Sequence, residues 1–163
     1  MVRRNYAHVV DVAFWDYMTR IVQTILALVL VILSAWLVVF VNTWPDRLSL
    51  FTAAWDLTIL GYYNIAVHGL PFIYNWAALV VTESLTLVFW AVSFSSVAAY
   101  YAYDKYDGRL NEKIVIAVIA LSAFAFVLHL ATCCMFARAV HKHRQAGKPL
   151  FSPQGKVASP SEV

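Results

Sequence analysis

The run from Ile21 to Val41 constrains this chain more than any other feature, because only Gln23, Thr24 and Ser34 interrupt it. A hydrocarbon core about 30 Å thick takes about 20 apolar residues of helix, so the run is long enough to cross one. It is too long for the apolar centre of a signal peptide, and Trp44-Pro45-Asp46-Arg47 follows where a small-residue cleavage site would stand. The segment is therefore expected to stay in the protein. Three more runs of similar kind follow: Leu48 to Val67, Asn75 to Ala99 and Ile114 to Val140. Backbone inside a bilayer must satisfy its own hydrogen bonds, and no alternation of period two argues for a barrel, so the four runs read as helices. Short connections make them antiparallel neighbours. The expected fold is all-α, an integral membrane bundle of four transmembrane helices.

Composition agrees: 62% of residues are hydrophobic and 13% charged, against about 25% charged in ordinary globular domains. A soluble domain is excluded on that ground. A net charge of +3 with no basic, aromatic-interleaved segment gives no footprint for nucleic acid. Cys133 and Cys134 are adjacent, so they cannot form a disulfide framework and carry no information about an oxidising compartment.

The domain layout follows from the runs. Residues 1–20 carry a stripe of Tyr6, Val9, Val10, Ala13, Phe14, Tyr17 and Met18, with Asp11, Asp16 and Arg20 off it. That spacing predicts an interfacial helix leading into the first span. Residues 21–140 form the membrane domain, with spans at 21–41, 48–67, 75–99 and 114–140. The second span ends at His68-Gly69-Leu70-Pro71, and the fourth starts behind Asn111 as N-cap. Residues 141–163, rich in Gly, Pro and Ser, read as a disordered tail. Eight Lys or Arg lie on the side of the termini and four on the other, namely Arg47, Lys105, Arg109 and Lys113. That asymmetry places both termini in the cytoplasm. Trp15, Tyr74 and Trp76 are expected to line the inner interface, and Trp44, Tyr100, Tyr101, Tyr103 and Tyr106 the outer one.

Asp56 and Glu83 are the residues with most to explain, since a carboxylate in hydrocarbon costs at least about 2.5 kcal/mol and is rarely kept without a partner or a wet path. Counting from opposite sides, each lies eight residues into its run, about 12 Å deep, which puts their levels about 6 Å apart. They read either as a proton or cation site between the second and third spans or as hydrogen-bonded carboxyls that fix helix packing. Packing is preferred, because no basic residue lies within the spans to complete a relay. Ala91, Ser95 and Ala99 recur every four positions in the third span and make a helix-packing face, internal or for self-association. Ala117, Ala125, His129 and Cys133 form a similar strip in the fourth. His68 and His129 sit at mismatched levels for a haem, and His141 and His143 read as solvated rather than as metal ligands, so no cofactor and no metal are assigned. Cys133 and Cys134, six residues before the membrane exit, are candidates for acylation or simply small buried hydrophobes.

Arg20 just before the first span, Phe51-Thr52-Ala53-Ala54-Trp55-Asp56 in the second and Thr82-Glu83-Ser84-Leu85-Thr86-Leu87-Val88-Phe89-Trp90 in the third resemble the fungal MARVEL-domain proteins, particularly the plasma-membrane organisers associated with eisosomes and non-classical export. The resemblance covers residues 20–140. It implies a four-span plasma-membrane protein with cytoplasmic termini that sorts, clusters or scaffolds membrane components and has no chemistry of its own. Relatives often carry cysteines in the second outer loop, and Tyr100 to Lys113 has none. Partners on this reading are membrane lipids and other membrane proteins, as a homo-oligomer or within a larger complex, with no nucleic acid. An accessory subunit of a membrane enzyme or transporter is the alternative reading, and a small proton- or cation-coupled transporter or channel the third. No catalytic triad, metal set or phosphate loop can be assembled, so no enzyme is expected.

Overall fold

A computed structural model describes residues 14–70, 73–103 and 109–147, the side chains of 14, 68, 69 and 109–111 excepted. Over these the chain is all-helical, with α1 at Phe14–Phe40, α2 at Trp44–Asn64, α3 at Trp76–Tyr103 and α4 at Arg109–Gln145. α1, α3 and α4 are long and apolar enough to cross a membrane. α2 has 21 residues, enough for about 31 Å of rise, but its apolar content is diluted by Asp46, Arg47, Asp56 and several hydroxyls.

Four helix boundaries have a local cause. α1 ends where Asn42 takes a left-handed φ of 61°, a conformation Asn tolerates better than most residues. Arg47 Nη2 donates to the Asn42 side-chain oxygen at 2.9 Å across the turn. Thr43 then precedes α2, and Asp46 Oδ2 accepts from the Thr43 backbone N–H at 3.2 Å and from its hydroxyl at 2.6 Å. Pro45 occupies the first turn, where its missing N–H costs nothing. At its far end α2 does not stop on a glycine cap: it widens into a π-helical turn at Ile65–Gly69, closed by a bond from Leu70 N–H to the Ile65 carbonyl, just before Pro71. Asn75 opens α3 by accepting from the backbone N–H groups of Ala77 and Ala78.

Two boundaries differ from the sequence reading. α1 begins at Phe14 without a break before the apolar run, so residues 14–20 belong to the first long helix; the rest of the expected interfacial helix lies outside the described residues. α4 starts at Arg109, which puts Asn111 inside the helix instead of at its cap, and it runs on to Gln145, five residues into the expected tail. The 37 residues of α4 span about 55 Å, so it outreaches any single bilayer core. Residues 148–163 lie outside the described set.

The helices form a square in which α1 packs on α2 and α4, and α3 packs on the same two, with no comparable packing across either diagonal. Leu26, Leu30, Leu37, Ala53, Val97, Val115 and Val118 fill one half of the interior, and Tyr63, Ala66, Tyr74, Leu79 and Phe136 the half nearer the termini. Tyr74, expected at the interface, is buried in this second cluster, whereas Trp15, Trp44 and Tyr103 do point outward. The perimeter is apolar, with Ile32, Val39, Val81, Val88 and Val127 all more than half exposed. Polarity therefore runs inward: Asp16, Arg20, Gln23, Ser34, Ser49, Thr52, Asp56, Glu83, Thr86, Ser93, Ser122, His129 and Thr132 are all buried.

Candidate functional site

The buried polar residues, joined by Trp90 on α3 and Ala125 on α4, recur on one face of each helix at intervals of three and four. On α1 the series is Asp16, Arg20 and Gln23, on α2 Asp46, Ser49, Thr52 and Asp56, on α3 Glu83, Thr86, Trp90 and Ser93, and on α4 Ser122, Ala125, His129 and Thr132. Such spacing makes one continuous stripe per helix. Four stripes face one another and build a polar column through the middle of the bundle.

Two ion pairs dominate it. Arg20 Nη1 donates to Glu83 Oε1, with both side chains almost fully buried. His129 Nε2 lies 2.9 Å from Asp56 Oδ1, again with both side chains buried. The first pair joins α1 to α3 and the second joins α2 to α4. These are the two diagonals that helix packing leaves uncrossed, so the square is braced corner to corner by charge. The reading that no basic group reaches the spans is overturned by Arg20, which the unbroken start of α1 carries into the core.

Further polar contacts tie the pairs into the walls. The Arg20 guanidinium lies 4.7 Å from the centre of the Tyr63 ring, a distance suited to a cation–π contact. Tyr63 Oη donates to Asp16 Oδ2 at 2.9 Å. Arg20 Nη1 approaches Gln23 Oε1 at 3.5 Å, and Gln23 Nε2 donates to Thr132 Oγ1 at 3.2 Å, which links α1 to α4. Trp90 Nε1 donates to Asp56 Oδ2 at 3.2 Å, so both carboxylate oxygens of Asp56 are engaged. One face outward, Trp55 Nε1 donates to Thr86 Oγ1 at 3.0 Å.

Asp56 and Glu83 therefore do not share a site. Trp90 is level with Asp56, and Glu83 stands seven residues earlier on α3, two turns or about 10 Å along the axis. Each carboxyl has its own basic partner on the opposite corner. Of the α4 strip of Ala117, Ala125, His129 and Cys133, Ala125 and His129 are buried and Ala117 and Cys133 half-buried.

The α3 face of Ala91, Ser95 and Ala99 does the reverse. Ser95 and Ala99 are exposed and Ala91 half-buried, while the inward face of α3 is Leu79, Glu83, Thr86, Trp90, Ser93 and Val97. Packing inside the bundle does not use the small-residue face. It floors an open groove of about 570 Å³ whose lining includes Ser95, Ser96 and Ala99, with Trp44 and Tyr103 at its edges. Cys134 is exposed and Cys133 half-buried. His143, expected in solvent, is buried, whereas His141 is exposed. Among the described residues no group of three His, Cys, Asp or Glu side chains is placed to hold a metal. The side chain of His68, weighed against His129 as a haem ligand, lies outside the described set.

No family model matches the chain, and no significant match is found among characterised proteins or among solved structures.

Proposed function

We propose that this chain is a four-span, MARVEL-like membrane protein that organises, sorts or scaffolds other membrane components without enzymatic chemistry, with both termini cytoplasmic and the plasma membrane as its site. The observation that carries the reading is the use made of its intramembrane charge. A site that moves ions passes them from one face of the membrane to the other, whereas Glu83 and Asp56 are each tied to one basic side chain, Arg20 or His129, across a bundle diagonal. These contacts hold four helices in register. α2 counts as the fourth span because Ser49, Thr52 and Asp56 turn inward while Phe51 and Ala54 face out, and the outward Thr58 hydroxyl is satisfied by the Ala54 carbonyl of its own helix.

The alternative of an accessory subunit draws on the outward small-residue face at Ser95 and Ala99, where a helix from another chain could approach closely. Purification in mild detergent followed by mass determination of the particle separates the two. The organiser is expected as a particle made of this chain alone, and a stoichiometric larger partner would replace that reading with the subunit one.

A further inference from the structure

We infer that Asp56 and His129 form a buried proton-binding site, loaded through the hydroxyl-lined half of the core that holds Thr52, Ser93 and Ser122.

The proton follows from what each ring nitrogen faces. His129 Nδ1 lies 2.9 Å from the Ala125 carbonyl oxygen, which only accepts, so Nδ1 carries a hydrogen. Nε2 lies 2.9 Å from Asp56 Oδ1. With Nδ1 protonated, a bare Nε2 facing an ionised carboxylate would set two lone pairs against each other. A second proton therefore sits between Nε2 and Oδ1, on either atom, and the pair is neutral overall in both cases. Trp90 Nε1, at 3.2 Å from Oδ2, is a donor only and takes no part in the exchange. The charged groups that face this layer from the remaining helices are Arg20 of α1 and Glu83 of α3, which neutralise each other, and Gln23 is uncharged. Loss of the shared proton would leave one uncompensated negative charge at the α2–α4 brace.

The route comes from a contrast among hydroxyls. Outward-facing Thr58, Ser84 and half-buried Thr24, Thr82 and Ser96 each donate to a carbonyl of their own helix four residues back. Inward-facing Thr86 and Thr132 also bond carbonyls of their own helices, whereas Thr52, Ser93 and Ser122 point into the core, are fully buried and have hydroxyls with no partner. All three are displaced from the Asp56–His129 layer toward the same end of the bundle: Thr52 lies four residues before Asp56, Ser93 three after Trp90 and Ser122 seven before His129. Beyond them Ser34 and Ser49 hydroxyls meet at 2.9 Å. Unsatisfied buried hydroxyls gathered beside a polar pair suit bridging water, which makes about three hydrogen bonds to such groups. At the other end Asp16 Oδ1, Arg20 Nε and Glu83 Oε2 are also buried without a partner, but they sit among the fixed charges of the Arg20–Glu83 pair, whereas the layer of Thr52, Ser93 and Ser122 carries none among the described residues. This inference goes beyond the organising role, and a particle-mass result that removed that role would leave the site standing.

The test is nitrogen NMR of the full chain, labelled in its five histidines and held in phosphatidylcholine nanodiscs at about pH 7.5, above the ordinary histidine value of about 6.5. His129→Gln assigns the signal. The expected spectrum has Nδ1 protonated and Nε2 shifted toward the protonated position by the shared proton. In Asp56→Asn the carboxamide donates instead, so Nε2 is expected to move to the bare position while Nδ1 keeps its hydrogen. A bare Nδ1 in the wild-type protein would overturn the site, and that measurement needs no variant to fold. The route is tested by hydrogen–deuterium exchange at the His129 ring in Thr52→Val/Ser93→Ala/Ser122→Ala, expected to slow by about tenfold, the rate cost of one lost hydrogen bond. Unchanged exchange would remove the hydroxyl route.

Discussion

Replacing Arg20 by Leu should destabilise the bundle by an amount that depends on pH in a calculable way. The change leaves Glu83, 3% exposed, without its cation, and breaking a buried pair from one side costs about 3–5 kcal/mol. The carboxyl has an escape, because it can take up a proton. Protonating a group with an ordinary value of about 4.3 at about pH 7 costs about 1.36 kcal/mol for each of about 2.7 pH units, so the penalty is capped near 3.7 kcal/mol. The sign follows from proton counting: the folded variant then holds one more proton than its unfolded chain, so stability rises as pH falls. At about pH 5 the same arithmetic leaves about 1 kcal/mol. Arg20→Leu/Glu83→Leu removes both charges and should fall close to the wild type, since apolar replacement of a whole buried pair is often neutral. Reversible unfolding in mixed detergent micelles at the two pH values, on wild type, single and double variants, measures every quantity needed. An Arg20→Leu deficit of equal size at both pH values, or a double variant as weak as the single one, would refute the reasoning.

Tyr63→Phe should cost about 1–3 kcal/mol in the same unfolding assay, because it leaves Asp16 Oδ2 buried without its donor; a change below a few tenths would remove the contact from the network. On a Cys133→Ser/Cys134→Ser background, Asp107→Cys is expected to react with an impermeant thiol reagent from outside and Ser152→Cys only after permeabilisation, and the opposite pattern would invert the topology. Acyl exchange should find a thioester on Cys134, the exposed member of the pair, which survives Cys133→Ser and is lost in Cys134→Ser; two free thiols in cells would dismiss acylation. Asp56→Asn should preserve assembly and surface distribution with a loss on the order of 1 kcal/mol, Glu83→Gln should cost about 3–5 kcal/mol because Arg20 stays buried without its anion, and reconstituted wild-type protein should hold a proton or sodium gradient. Dissipation that either amide variant stops would show that the carboxyls serve transport.

The bundle was legible because a long apolar helix is the cheapest feature to recognise in a sequence. Ile21 to Val41, Asn75 to Ala99 and Ile114 to Val140 each coincide with a helix of the structure, apart from the end residues Val41 and Asn75. The boundaries drifted where apolar content and helicity part company: α1 starts seven residues before Ile21 and α4 five before Ile114. Helical hydrogen bonding continues into polar sequence as long as the backbone has partners, and hydropathy does not register that. Asn42 and the π-helical turn at Ile65–Gly69 depend on local dihedral choices that no apolar count contains.

The error over Arg20 has a more specific cause, and it concerns what polarity means in this solvent. Beside an apolar run, Arg20 reads as the first residue outside the membrane, and the stripe of Tyr17 and Met18 reads as the side that faces the lipid or the core. In water the apolar stripe is the one that turns inward. In hydrocarbon every face of the helix is apolar enough, and the polar stripe is the one that must find partners. Asp16, Arg20 and Gln23, at intervals of four and three, already carried that signal, and so did Ser122, His129 and Thr132. What a single helix could not reveal is which stripes would meet. Arg20 reaches Glu83 and His129 reaches Asp56 only because the square places α1 opposite α3 and α2 opposite α4, with sequence separations of 63 and 73 residues. The pairing belongs to the arrangement of all four helices, and the same arrangement gives each pair its structural weight, since the helices themselves do not pack across those diagonals among the described residues.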